Sequence, residues 1–110
     1  MIKRPFGSPA WGNGFHTHYS LWKDGKNAFS DGGKLNALGR NFVGGMQKRM
    51  AEGAICGSPT PNGYRRRQPY TFCPINTTWG VDNRTVGLRI IEGSDSAVRV
   101  EKRDAGADAN

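Results

Sequence analysis

The chain has 110 residues, of which sixteen are glycine and 35% are hydrophobic. A chain of this length holds one domain at most, and this composition leaves it a thin apolar core, so we expect a piece of a larger domain. The formal net charge of +7 favours an anionic partner, such as a nucleic acid, a membrane surface or a small phosphate compound.

Residues 12–22 carry the most distinctive pattern and read Gly-Asn-Gly-Phe-His-Thr-His-Tyr-Ser-Leu-Trp. Their two-residue alternation predicts a strand through Trp22, in which His16, His18 and Ser20 share one face and largely apolar residues occupy the other. Imidazoles spaced by ~6 to 7 Å along a strand are one way to build a metal site. The same spacing is also found where histidines face solvent or form hydrogen bonds, and both interpretations stay open on spacing alone.

The next segment predicts a hairpin followed by a helix. Asp24-Gly25 is a strong hairpin-turn signal, with a brief return strand expected at residues 28–29, and residues 31–33 break the chain. A helix is predicted over residues 35–52, where Gly44-Gly45 indicates close helix packing or a kink. The apolar stripe of this helix is typical of core packing and comprises Leu35, Leu38, Phe42, Val43, Met46 and Met50.

The second half of the chain predicts turns and then three short strands. Residues 57–63 form a turn-rich connection, and the run of three arginines at 65–67 indicates a solvated basic loop. Strands are expected over residues 75–81, 86–91 and 98–103. In the last of them, alternation puts Arg99, Glu101 and Arg103 on one face.

The distribution of arginines narrows the choice of ligand. The guanidinium fork pairs with carboxylates and phosphates, so convergent arginines fit small anionic ligands at least as well as a nucleic-acid backbone. A small basic nucleic-acid-binding module is the more distant alternative. The arginines recur within or beside motifs at Arg65, Arg66, Arg67, Arg84, Arg89, Arg99 and Arg103.

The cysteines and the hydropathy pattern favour the cytoplasm. Cys56 and Cys73 show no Cys-x-x-Cys pairing, and we expect them to be reduced thiols. No apolar run approaches the ~20 residues of a membrane span, and the first residues lack the apolar segment of a signal peptide. We therefore expect no membrane as partner, and the distribution of the arginines leads us to expect no nucleic acid either.

Four motifs, in order, resemble the signature segments of the glutamine synthetase family. Residues 12–22 resemble its Gly-x-Gly-Met-His-x-His-x-Ser-Leu, and residues 62–66 its Asn-Ser-Tyr-Lys-Arg. Residues 82–85 resemble its Asn-Arg-Ser, and residues 99–103 its Arg-x-Glu-x-Arg. The resemblance implies an α+β fragment of the catalytic domain, with antiparallel strands and a packed helix. Residues 1–110 would be its C-terminal portion, with the upstream catalytic part and the N-terminal domain absent.

The resemblance also implies roles for individual residues. His16 and Glu101 would bind Mg²⁺ or Mn²⁺, and Arg84 and Arg103 would be catalytic at the transferring phosphoryl group. The nucleotide would contact His18, Ser20, Arg89 and Arg99, and the glutamate site would include Gly12, Arg66 and Arg103, with Phe72 near the amine.

The implied reaction is an ATP-dependent ligation of glutamate to an amine. ATP phosphorylates the side-chain carboxylate of glutamate, and the amine then displaces phosphate to give a γ-glutamyl amide. Phe72 stands where ammonia-using members have a carboxylate, which favours an amine larger than ammonia; glutamine synthetase proper is the alternative, and a pseudoenzyme of the family is another. Trp11 and Ser96 also depart from the family pattern. Family members form double hexameric rings, so we expect a homo-oligomer, and the isolated chain should be inactive.

Overall fold

A computed structural model of the chain describes residues 14–70 and 73–104, apart from the side chain of Asn62. The elements follow the chain as β1 (Phe15–Tyr19), β2 (Trp22–Lys23), β3 (Lys26–Asn27), β4 (Ser30–Asp31), β5 (Lys34–Leu35), α1 (Ala37–Lys48), α2 (Ala54–Gly57), α3 (Pro61–Arg65), β6 (Trp79–Val81), β7 (Leu88–Ile91) and β8 (Arg99–Asp104). A four-stranded sheet has the order β1-β8-β7-β6, and two small hairpins precede the helix. The α+β class expected from the sequence is confirmed.

The sheet is antiparallel except at one edge. The β1–β8 and β7–β8 pairs are antiparallel, as expected, whereas β6 and β7 are parallel. Parallel neighbours normally need a long crossover. Here β6 has only three residues, about 7 Å of strand, so the loop over residues 82–87 is long enough to return to its starting end.

One face of the sheet packs against the helical layer and makes the core. Strand alternation sends Leu88, Ile90 and Val100 to this face, where all three are buried. Phe42 of α1 packs on the same core, with its ring centroid 5.1 Å from that of Phe29. The opposite face of the sheet carries the charged and imidazole side chains.

Helix α1 is shorter than predicted. Asn36 caps it, because its Oδ1 accepts a hydrogen bond from Gly39 N at 3.0 Å, and the helix ends at Lys48 instead of running from 35 to 52. The prediction that its apolar stripe packs in the core is confirmed except at Leu38, which is 49% exposed. The close helix packing expected at Gly44 and Gly45 is not seen within the described part of the chain: both are exposed, and a Cβ on either would meet no atom within 4 Å.

The predicted Asp24-Gly25 turn is present between β2 and β3, and both residues have positive φ, at 50° and 74°. The strand that enters this turn is not continuous with β1, which ends at Tyr19, and the return strand lies at residues 26–27 instead of 28–29. Gly32 and Gly33 do not simply break the chain. They form the turn of a second hairpin, β4–β5, which the sequence prediction lacks.

Gly33 provides a sharp test of this second hairpin. Its φ is +79°, and an added Cβ would overlap the carbonyl oxygen of Gly93. We expect Gly33→Ala in the full-length protein to lower the free energy of unfolding by about 3 kcal/mol or more. The matched control is Gly32→Ala, because Gly32 has φ +57° but open space around it and should lose only about 1 kcal/mol. Urea unfolding followed by circular dichroism measures the free energy of unfolding of both variants. Equal losses in the two variants would contradict the close packing of Gly33 against the carbonyl of Gly93.

The remaining differences lie between α1 and β7. The predicted strand over residues 75–81 is reduced to β6, because Asn76 Oδ1 accepts hydrogen bonds from Thr78 N and Thr78 Oγ1 and holds a turn instead. Helices α2 and α3 were not predicted. The solvated-loop interpretation of residues 65–67 is wrong for Arg66, which is 7% exposed at the end of α3.

Both cysteines are free thiols. Among the described residues, every helix is too short or too polar to cross a bilayer.

Candidate functional site

The charged face of the sheet brings three strands together around Glu101. In the β1–β8 ladder His16 is opposite Arg103 and His18 is opposite Glu101, and in the β7–β8 ladder Arg89 is opposite Glu101. Directly opposed residues project to the same face of a sheet. Three segments that are far apart in the chain therefore supply one cluster of side chains.

Glu101 is the centre of this cluster, and its side chain is only 4% exposed. Arg103 Nη1 donates to both carboxylate oxygens at 3.2 Å, and Arg89 Nη1 donates to Oε2 at 3.4 Å. His16 Nδ1 lies 2.9 Å from Oε1, and His18 Nε2 lies 3.9 Å from the same oxygen. The predicted convergence of His16 and Glu101 is confirmed as geometry.

The rim of the cluster is more exposed and also ordered by hydrogen bonds. Arg99 Nε donates to His18 Nδ1 at 3.2 Å, and Arg99 Nη1 donates to the carbonyl of Ala97 at 2.7 Å. Arg89 Nη2 donates to Asp82 Oδ1 at 3.0 Å. These contacts hold two arginines and an imidazole around the buried carboxylate.

The charges of the cluster set its protonation states. Burial raises the pKa of Glu101, but the neighbouring Arg103, His16 and Arg89 outweigh it and hold that pKa below its ordinary value. Burial, followed by the charge of Arg103, lowers the pKa of His16. A carboxylate that is ionised beside an imidazole that is neutral is the donor state that divalent metals require.

The spacing of these two donors fits a hard divalent cation. Two adjacent ligands of an octahedral Mg²⁺ or Mn²⁺, each about 2.1 Å from the ion, lie about 3.0 Å apart. His16 Nδ1 and Glu101 Oε1 are 2.9 Å apart, which is the length of a hydrogen bond from Nδ1–H and also the separation of two neighbouring ligands once the ring proton is on Nε2. In residues 14–70 and 73–104 no group of three or more metal-binding side chains is present, and further ligands would have to come from elsewhere.

The other site residues named from the sequence are spread more widely. Ser20 follows β1 and accepts a hydrogen bond from Trp22 Nε1 at 2.9 Å. Arg84 is exposed in the loop between β6 and β7, and Arg66 is buried at the end of α3, beyond the sheet. Gly12 and Phe72, like Trp11, lie outside the described residues.

Two residues at this site were not assigned a role from the sequence. Asp82 forms an ion pair with Arg89. The sequence feature that could have indicated a role for Asp82 is its position directly after strand β6. Gly14 lies against His16, since an added Cβ would be 3.1 Å from His16 Nε2. The Gly-x-Gly spacing before the histidines is the sequence signal for such a close approach.

The match to a known protein family covers residues 1–110 and is described as the glutamine synthetase catalytic domain. The chain is 37% identical over 110 residues to a glutamine synthetase of Thermococcus kodakarensis, an alignment that covers 100% of this chain and 24% of that protein. It is 42% identical over 112 residues to the gamma-glutamylputrescine synthetase of Escherichia coli, covering 100% of this chain and 24% of the relative.

A third relative is the gamma-glutamylethanolamide synthetase of Streptomyces coelicolor, 39% identical over 100 residues, which are 90% of this chain and 21% of that protein. The chain therefore spans about a quarter of the length of the curated relatives it matches. With a family match over its whole length and the buried Glu101 cluster at the motif positions, this chain belongs to the glutamine synthetase family.

Proposed function

We propose that this chain is part of an ATP-dependent ligase that joins the side-chain carboxylate of glutamate to an amine. The observation that carries the proposal is the Glu101 cluster, where an imidazole, a buried carboxylate and two arginines meet on one sheet face. The complete enzyme would act in the cytoplasm as a homo-oligomer of two stacked hexameric rings, and free cysteines suit such a reducing compartment.

His16 and Glu101 would hold Mg²⁺ or Mn²⁺, because their donor atoms have the spacing of neighbouring ligands. When bound, the ion would neutralise charge on the ATP phosphates. Arg103 and Arg89 keep Glu101 ionised, and the buried Nε–H of Arg89 has no acceptor within the described part of the chain. A buried donor without a partner suits an anionic ligand oxygen.

The remaining assignments extend from this cluster towards the two substrates. His18, Ser20, Arg89 and Arg99 would bind the nucleotide, and Arg99 already orients the His18 ring through Nδ1. Arg84 is exposed and contacts no described acid, so its guanidinium is free to pair with the transferring phosphoryl group. Gly12, Arg66 and Arg103 would bind glutamate.

The chemistry requires this density of positive charge. ATP and the glutamate carboxylate are both anions, and their approach is repulsive unless cationic groups offset the charge. Guanidinium groups fixed in advance stabilise the charge that develops on the transferring phosphoryl group without reorganising during the reaction. The acyl phosphate formed in this step is then attacked by the amine, which releases phosphate.

We propose an amine larger than ammonia as the acceptor. Phenylalanine at position 72 can neither bind ammonium through a charge nor accept its proton, whereas its ring can contact an apolar stem or stack under a cation. Two of the relatives are named for putrescine and ethanolamine amides, and they are as similar to this chain as the glutamine synthetases are. Glutamine synthesis with ammonia is the second candidate, because other relatives are named glutamine synthetases.

An amine panel tests this proposal. We expect the full-length enzyme to release phosphate from ATP with glutamate and Mg²⁺, and to use a primary alkylamine, polyamine or amino alcohol with at least tenfold higher kcat/KM than ammonia. A tenfold ratio corresponds to about 1.4 kcal/mol of transition-state preference. A tenfold preference for ammonia would overturn the amine assignment alone, whereas the absence of glutamate-dependent phosphate release with every amine would overturn the ligase.

A further inference from the structure

The side of β8 that faces away from Glu101 carries a second buried ion pair. Lys102 Nζ lies 2.8 Å from Asp104 Oδ2, and the two side chains are 13% and 6% exposed. The same ammonium donates to the carbonyl oxygen of Gly53 at 3.1 Å. Because side chains alternate along a strand, this pair lies on the opposite face from Glu101 and Arg103. It connects the strand to the segment that links α1 and α2.

Gly57 makes room for this pair, because a Cβ there would overlap the carboxylate of Asp104. Gly53 lies against the same pair, and a Cβ on it would be in ordinary contact, 3.7 Å from Lys102 Nζ. Residues four apart lie on the same side of a helical turn, so Gly53 and Gly57 present a bare surface to β8. The helical segment can thus approach the strand closely enough for the ammonium to reach a backbone carbonyl.

The pair lies at the end of β8 where the ladder with β7 stops. Strand β7 begins at Leu88, which is opposite Lys102, so the last two residues of β8 extend beyond that ladder. Arg103 and Asp104 are paired to β1 alone, apart from the hydrogen bond that Arg103 N donates to Gly87 O at 2.9 Å. The position of this end therefore depends on what contacts its other face.

We propose that Lys102 and Asp104 are positioning residues for the metal and phosphate site on the other face of β8. This inference rests on the function proposed above. Without the ammonium, Asp104 is a buried carboxylate against Gly57, and the strand end must shift to hydrate it. Such a shift moves Arg103 and Glu101, which adjoin the pair in the chain. A displacement of about 1 Å at reacting groups is enough to lower a rate by about 100-fold.

The test uses Lys102→Met and Asp104→Asn in the full-length enzyme. Methionine keeps the length of the apolar stem but removes the ammonium, and asparagine keeps the shape of the aspartate without its charge. We expect each variant to lower kcat by about 10- to 100-fold, with an unchanged KM for the amine. We also expect Mn²⁺ affinity, measured from the electron paramagnetic resonance signal of the free ion, to fall by about tenfold.

The matched control is Arg49→Met, which breaks the exposed Arg49–Glu52 pair, 3.2 Å apart, and should leave both readouts within twofold of wild type. Wild-type kcat and Mn²⁺ affinity in folded variants, even with a lower unfolding temperature, would overturn the positioning role. If Lys102→Met does not fold, Asp104→Asn decides the question. A wild-type enzyme that binds Mn²⁺ but has no ligase activity would refute the proposed function, while the Mn²⁺ affinities would still test the positioning role.

Discussion

Replacing Glu101 with glutamine in the full-length enzyme is expected to lower kcat/KM for metal-ATP by at least about 100-fold. The side chain keeps its shape, but it loses the negative charge that His16, Arg89 and Arg103 share. One of its oxygens becomes an NH₂ group, which is a donor facing other donors. Both the proposed metal site and the alignment of the arginines are lost in one change.

The same substitution should also destabilise the protein. Arg103 is 5% exposed, so Glu101→Gln takes away a carboxylate that lies 3.2 Å from a buried guanidinium. Breaking a buried ion pair from one side costs about 3–5 kcal/mol. Urea titration measures the loss of unfolding free energy. The Mn²⁺ dependence of phosphate release measures the loss of metal-dependent activity.

The control for Glu101→Gln is Glu52→Gln. Glu52 pairs with Arg49 on the surface, where its side chain is 70% exposed, and its loss should leave activity and the metal response unchanged. If Glu101→Gln retained wild-type activity and an unaltered Mn²⁺ response, neither the metal assignment nor the central role of this carboxylate would stand.

The site was predictable from the sequence because short-range alternation fixes which strand residues share a face. Alternation in residues 12–22 put His16 and His18 together, and alternation in residues 98–103 put Glu101 with Arg103. The motif resemblance supplied what alternation lacks, namely that these two segments meet. The ladder between β1 and β8 provides that contact, and sequence spacing of more than eighty residues carries no direct information about it.

The parts that were missed depend on contacts distant in sequence or on side-chain hydrogen bonds. The second hairpin is held to the far end of β7 by Asp95, whose carboxylate accepts from Ser30 Oγ at 2.6 Å and Gly33 N at 2.8 Å. The buried Lys102–Asp104 ion pair was not predicted from the sequence, because a lysine and an aspartate at the end of a polar strand normally face solvent. Helix α1 ends at Lys48, although Met50, the last residue of the predicted apolar stripe, still packs on the core from beyond the helix end.

Removing Arg103 is expected to cost almost as much activity as removing Glu101, and the two losses should not add. Arg103→Met takes away the guanidinium that contacts both oxygens of Glu101, and a reduction in kcat/KM of about 100-fold is expected. Since the two side chains are in contact, the double variant Glu101→Gln/Arg103→Met should retain more activity than the product of the single losses predicts. The expected coupling free energy is about 1–3 kcal/mol.

A second double-mutant cycle, built on a distant arginine, provides the reference for the coupling free energy between Glu101 and Arg103. Arg40 is exposed on α1, across the core from the charged face, so Arg40→Met should have no effect on activity and should combine additively with Glu101→Gln. Both cycles are measured as kcat/KM for metal-ATP at saturating glutamate and amine. Full additivity between Glu101 and Arg103 would mean that the two act independently. Because a buried carboxylate and its guanidinium partner share one electrostatic interaction, we expect instead that most of the loss occurs when either of them is removed.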